Sequence, residues 1–282
     1  MTIYISTGSI KNKTIQQSID YLSENGITNI ELSGGQHDPE IFQKLISYKN
    51  KINFMLHNYF PPPKVPFTLN LATLNKEIFE QCEKHIINSI RISSKLEIPY
   101  YSFHAGFLID PNPKELGKKI TNQKKNDENI ATRVFLDRVC EFANLGKKEG
   151  VKILIENNVL NKQNFKTFNG NPFMMTSIKQ TKNLVKYLPD NVYILLDIAH
   201  LKVSSRTLNF SASEFLRKFD NKIKAYHISD NSGELDTNDA VTENSWFWQY
   251  LKKDKAYYTF ELKTENTNII KNQIKMLQKF IN

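Results

Sequence analysis

Short apolar runs alternate with longer stretches in which apolar residues recur every three or four positions, and the alternation continues through all 282 residues. The runs at 2–6, 29–32, 52–57, 100–105, 152–157, 192–197, 224–229 and 257–262 are rich in Ile, Leu, Tyr and Phe. Polar or turn residues bound each of them, the pattern of short β-strands. Several lack clean alternation, as expected for strands covered on both faces. Between them, 13–25, 74–96, 126–149, 176–188, 211–219, 245–251 and 266–280 carry helical spacing, and Asp38-Pro39-Glu40 reads as a helix start with Pro in the first turn. Gly26 and Gly150 close two of these helices directly before a strand, where a helix end favours glycine. Eight β/α units without a linker predict an α/β fold, a single (β/α)8 TIM barrel occupying 1–282 as one domain. A doubly wound sheet would call for a phosphate-binding glycine motif, and only Gly34-Gly35 follows the second run. The loop at 106–126 is long for such a barrel and is a candidate lid.

Composition narrows the picture. With 40% hydrophobic and 11% aromatic residues the chain can build a large core, so disorder is excluded. No stretch approaches the ~18–20 apolar residues of a membrane span. The opening MTIYISTGSI has no basic region leading into an apolar core, so a secretory signal is not expected. Two cysteines, Cys82 and Cys140, fit free thiols in a reducing cytoplasm. The net charge of +9 invites a nucleic-acid partner, but it comes from 33 Lys against 5 Arg, beside 31 Asn and 30 Ile. That profile reads as AT-rich codon bias, because a phosphate-binding groove leans on the planar fork of Arg. A nucleic-acid partner is therefore not expected. One cluster, Lys114, Lys118, Lys119, Lys124 and Lys125, lies in the candidate lid.

The chemistry sits at the C-terminal ends of barrel strands, so those positions carry the functional argument. Fewer than one of six histidines should fall there by chance if such positions make up roughly a ninth of the chain. Four do: His57, His104, His227 and, three residues past the sixth strand, His200. His37 and His85 read as surface residues. Acids fall the same way: Glu156 ends the fifth strand, Asp197 the sixth and Glu261 the eighth. A carboxylate at the end of an apolar strand is costly to bury unless paired or bound to a cation. Three of them with His227 at one mouth would repel, and a divalent ion resolves that repulsion. Oxygen-rich ligation with one imidazole suits Mn²⁺, Mg²⁺ or Co²⁺ and admits Zn²⁺.

These residues give the chain a resemblance to the xylose-isomerase-like barrel superfamily, which groups sugar isomerases and epimerases with the endonuclease IV type of nuclease. It is carried by HNYF at 57–60, FHAG at 103–106, IENN at 155–158, DIAH at 197–200, HISDNSGELD at 227–236 and FELKTE at 260–265. The resemblance implies one divalent metal held by Glu156, Asp197, His227 and Glu261. It implies Glu156 and Glu261 as acid and base on either side of the reacting carbon, through an enediolate. His57, His104 and His200 would contact substrate, a small-molecule sugar or sugar phosphate, with Lys202 and Arg206 as cationic contacts. Homo-oligomers are common in such families.

Departures keep other readings open. The ketose epimerases of the group carry an arginine six residues past the seventh-strand histidine, where this chain has Gly233. The nuclease branch holds a third zinc partly through an Asp-x-His pair, and DTNDAV at 236–241 has no histidine. His57 and His104 match first-zinc positions of that branch and offer a second ion site bridged by Glu156. An endonuclease IV-like zinc phosphodiesterase acting on damaged DNA is thus the alternative enzyme, and a non-catalytic ligand-binding barrel the other. Asp239 and Glu243 are weaker site candidates near the mouth.

Overall fold

In the computed structural model, which describes residues 2–10 and 13–281, eight strands are hydrogen-bonded in parallel to their neighbours and close into a barrel. They are β1 (Thr2–Ser6), β2 (Asn29–Leu32), β3 (Asn53–His57), β4 (Tyr100–His104), β5 (Lys152–Glu156), β6 (Val192–Asp197), β7 (Ile223–Ile228) and β8 (Tyr257–Phe260). The ring closes where β8 pairs with β1, Tyr4 level with Thr259. Nine helices in the described residues surround it: α1 (Ile15–Glu24), α2 (Ile41–Tyr48), α3 (Lys76–Lys95), α4 (Glu128–Glu149), α5 (Lys162–Thr167), α6 (Ile178–Val185), α7 (Ile198–Leu208), α8 (Ala212–Phe219) and α9 (Thr267–Ile281). The fold is the single (β/α)8 barrel that the sequence pattern predicts.

The core lies between barrel and helices and inside the barrel, where Tyr101, Tyr226, Tyr257 and Tyr258 are fully buried. Burying such side chains contributes roughly 1.5–3 kcal/mol each before the opposing chain entropy is counted. Side-chain caps set the helix starts: Asn75 for α3, Asp127 for α4, Ser177 for α6 and Ser211 for α8 each accept backbone N–H groups. Gly150 ends α4 at φ 72°, a left-handed turn that feeds the chain into β5.

The helical expectations need four corrections. The 245–251 segment forms only a 3-10 turn at Trp248–Tyr250. Pro39 does not open α2: Asp38 accepts from Glu40 N at 2.9 Å, and this turn delays the helix to Ile41. Spacing alone does not reveal α5 and α7, which occupy stretches read as loop. His85 is buried rather than on the surface, because its ring fills the gap beside Tyr59 and Phe67 and its Nε2 meets Asn58 O at 2.9 Å. No helix among the described residues is long and apolar enough to cross a membrane.

Candidate functional site

Strand register assembles the site. His57 is level with Ser102, His104 with Glu156, and Asp197 with His227, so five adjacent strands, β3 to β7, end in one polar ring. Glu156, Asp197 and His227 are essentially inaccessible, and Glu261 adds a partly exposed carboxylate from just past β8. Ligand atoms of Glu156, Asp197, His227 and Glu261 lie within 4.8 Å of one another, and those of His57, His104 and Glu156 form a second such group.

Glu156 is the hub. Its Oε2 is 3.2 Å from His57 Nε2 and 3.4 Å from His104 Nδ1. Its Oε1 is 3.4 Å from both His200 Nδ1 and His227 Nδ1. Yet neither oxygen makes a hydrogen bond, and His104 Nδ1 and His227 Nδ1 are likewise buried without one. Buried polar atoms are rarely left so. The reason lies in what holds each ring from behind. His227 Nε2 is 3.1 Å from Glu31 Oε1, and a carboxylate only accepts, so the Nε2 proton faces Glu31. A neutral His227 then turns its Nδ1 lone pair toward Glu156 and, at 3.5 Å, Glu261 Oε2. Ser102, whose hydroxyl donates to Leu56 O at 3.4 Å, accepts from His57 Nδ1 at 3.0 Å, which turns the Nε2 lone pair toward Glu156. Lone pairs facing carboxylates demand a cation between them, either a proton or a metal ion. Hard carboxylate oxygens with one imidazole form a donor set that fits a divalent ion.

Asp197 serves two structures at once. Its Oδ1 caps α7 by accepting from His200 N at 2.6 Å, and its N–H donates to Asn157 Oδ1 at 2.8 Å. That helix places His200, whose Nδ1 meets Asn157 O at 2.9 Å and whose Nε2 meets Asp236 Oδ2 at 3.2 Å. Both contacts are acceptors, so the ring is held as a cation.

The electrostatics follow. Burial alone would raise the Glu156 carboxyl, but the imidazoles of His104, His227 and His57 hold it well below the usual range. Burial opposes charge on His227 and His200 too, yet Glu31, Glu261 and Glu156 raise the first, and Asp197 and Asp236 the second, well above an ordinary histidine. Burial pushes Asp197 up to about 7 and His104 down to about 4, while His227 overcomes burial at Glu261 and brings it to about 2.

A pH dependence comes from the signs. Raised groups stabilise the fold while protonated, so the contributions of His200 and His227 are present below ~6.5 and lost above it as pH passes their folded values. Asp197 likewise loses its contribution as pH climbs toward about 7. Glu156, Glu261 and His104 act oppositely, losing theirs on the acid side. The metal-free protein is therefore expected to weaken as pH rises from 6 to 8, where an ion replaces the departing protons. Saturating Mn²⁺ should raise the melting temperature more at pH 8 than at pH 6 in thermal scans. An equal or smaller shift at pH 8 would contradict this.

Above the ring opens a cavity of about 570 Å³. His57, His104, His200, Asp236 and Glu261 form its floor, while Glu156, Asp197 and His227 lie beneath it. Of the lysine cluster in 106–126, Lys118 alone lines it. Lys202, expected at the substrate, does not: its ammonium is 2.6 Å from Asp230 Oδ1 and also donates to Asn231 O. Arg206 is turned away as well, donating to Ser232 O and lying across Gly233, where a Cβ would come within 2.4 Å of its Cδ. Among the expected substrate contacts, only His57, His104 and His200 reach the cavity. Glu31 and Asp236 join the site without being singled out by sequence. Glu31 leaves the signal of an acid inside an apolar strand, the signal that marks Glu156.

The sequence profile of the xylose isomerase-like TIM barrel family matches residues 19–278. A search of the curated proteins finds no significant match. Among solved structures, a D-tagatose 3-epimerase-like protein superposes with a TM-score of 0.74 at 18% identity, over 100% of this chain and 97% of that one. The IolI protein with a bound zinc atom gives 0.69 at 16% identity, over 100% and 98% of the two chains. D-psicose 3-epimerase from Clostridium cellulolyticum H10, solved with D-tagatose, gives 0.66 at 14%, over 100% and 96%.

Proposed function

The chain belongs to the xylose isomerase-like TIM barrel family, and from that membership and its donor set we propose a divalent-metal-dependent isomerase or epimerase of a sugar or sugar phosphate. One observation carries the reading. Glu156, Asp197, His227 and Glu261 converge within 4.8 Å, Glu261 on the floor of a large cavity and the other three beneath it, with both Glu156 oxygens and His227 Nδ1 lacking hydrogen bonds. The zinc in the IolI structure and the tagatose in the psicose epimerase structure support it.

A bound divalent ion supplies Lewis acidity that polarises a sugar carbonyl and acidifies the neighbouring C–H. Glu261 lines the cavity and is positioned to take and return a proton at that carbon through Oε1 or Oε2. Glu156 is the second acid–base group, acting from below the floor. His200, kept charged by Asp197 and Asp236, places a positive charge at the floor of the cavity, and neutral His104 adds a polar contact. The loop at 106–126 acts as a lid within one domain spanning 1–282.

A second reading rests on the trio His57, His104 and Glu156, which offers a further ion position on the opposite oxygen of Glu156. Two or more zincs would favour the endonuclease IV-like phosphodiesterase. Elemental analysis of the purified protein, with deuterium incorporation from D₂O into a ketose panel, separates the two. One ion per chain with label at the carbon beside the carbonyl is expected. Several zincs, no label and cleavage of a DNA oligonucleotide containing an abasic site would overturn the proposal.

A further inference from the structure

The cavity is divided in its chemistry. Its carboxylates and imidazoles lie on the floor. The apolar side chains above include Leu69 after β3, Phe107, Leu116 and Ile120 in the 106–126 loop, Phe173 after β5 and Leu235 after β7. Asparagines lie among them, several tied by hydrogen bonds to the backbone, while Asn58 Oδ1 is buried without a partner. Asn158 Nδ2 donates to Ala105 O, Gly106 O and Met174 O at 2.7–3.1 Å. Asn164 accepts from Ile120 N and donates to Lys118 O at 3.0 Å each, and Asn161 Oδ1 caps α5 at 2.8 Å. These bonds hold the backbone of the loop and draw the Asn158 and Asn164 amides toward it. A hydroxyl buried against this wall without a partner is penalised, whereas an apolar group there is stabilised by burial.

The wall is also rigidly built. Phe107 and Phe173 bridge antiparallel with rings 5.4 Å apart edge to face, and both belong to a separate small core with Ile109, Ile120, Leu160 and Phe168. Across the mouth Leu235, an apolar side chain next to Asp236, stands 53% exposed. Lys118 and Lys263 are exposed at the rim, where ammonium groups stay in water and their stems extend the apolar surface.

We propose that the substrate is a sugar bearing an apolar substituent, alkyl or aryl, at the end remote from its reacting carbonyl. The polyol part occupies the floor and the substituent packs between Leu116, Ile120 and Leu235. The inference rests on the isomerase reading above and narrows its substrate class.

The test compares the four D-2-ketohexoses with their 6-O-benzyl ethers on the metal-loaded protein, by calorimetric Kd and by deuterium incorporation from D₂O. For the ketose that is turned over, the benzyl ether should bind ~10-fold or more tightly, the scale at which apolar pockets discriminate. Leu235→Ser and Leu116→Ser should bring that ratio toward one; both positions are accessible enough for the fold to survive. A ratio of one or less in the wild type overturns the substituent while leaving the isomerase in place. Absence of both binding and label with every compound overturns the isomerase reading, and the substituent with it.

Discussion

Glu261→Gln is expected to lower deuterium exchange into substrate by ~10²–10⁴-fold, the usual worth of a positioned acid–base group, in protein that remains folded. The amide preserves volume and still accepts from Ser6 Oγ, now 3.3 Å from Glu261 Oε1. What it removes is a carboxylate that can carry a proton at the wall of the cavity. Three of the four metal-facing residues remain, so metal content measured at saturating Mn²⁺ should survive while exchange does not. Split readouts matter here, because losing both together would describe a metal-binding residue only. Exchange within ~10-fold of wild type in the metal-loaded variant would remove Glu261 from proton transfer.

Much of this site is legible in the chain because two constraints coincide. A strand buried on both faces must be apolar, so an acid or histidine near its end is conspicuous, as at Glu156 in KILIE or His227 in IKAYHI. Barrel closure then brings those positions together whatever the loops do. What stays hidden depends on contacts across the barrel. Glu31 on β2 comes five strands before His227 on β7 along the chain, and only the closed barrel places it behind that imidazole. The start of α7 is masked because Asp197 reads as a strand end, while the same carboxylate caps the helix. Lys202 sits two residues past His200, which suggests the same neighbourhood. A helix turns successive residues by about 100°, so its ammonium reaches Asp230 instead. The residues of 106–126 are legible as a long loop, but their shared core with Phe168 and Phe173 depends on pairing with the loop after β5.

Glu156→Gln should act differently from Glu261→Gln, removing metal and activity together. Glu156 presents its two oxygens to four imidazoles, on opposite sides, with every distance between 3.2 and 3.4 Å. A glutamine has one oxygen and one NH₂ there, so at least one face meets a donor where a ligand is required. Divalent-metal affinity is expected to fall ~100-fold or more, beyond the ~10–100-fold typical of losing a residue behind a ligand. Exchange into substrate should fall with it and return little at high metal concentration. Stability should move as well, because the carboxylate balances buried imidazolium charge on His200 and His227. Removing one partner from such a buried set costs about 3–5 kcal/mol, read as a lower urea midpoint at pH 7 in metal-free protein. The depressed Glu156 carboxyl contributes stability above ~4.5 that is lost as pH falls through its folded value. The deficit of the variant should therefore shrink toward acid pH. A variant with wild-type metal affinity and an unchanged urea midpoint would show that Glu156 is not the hub of the site.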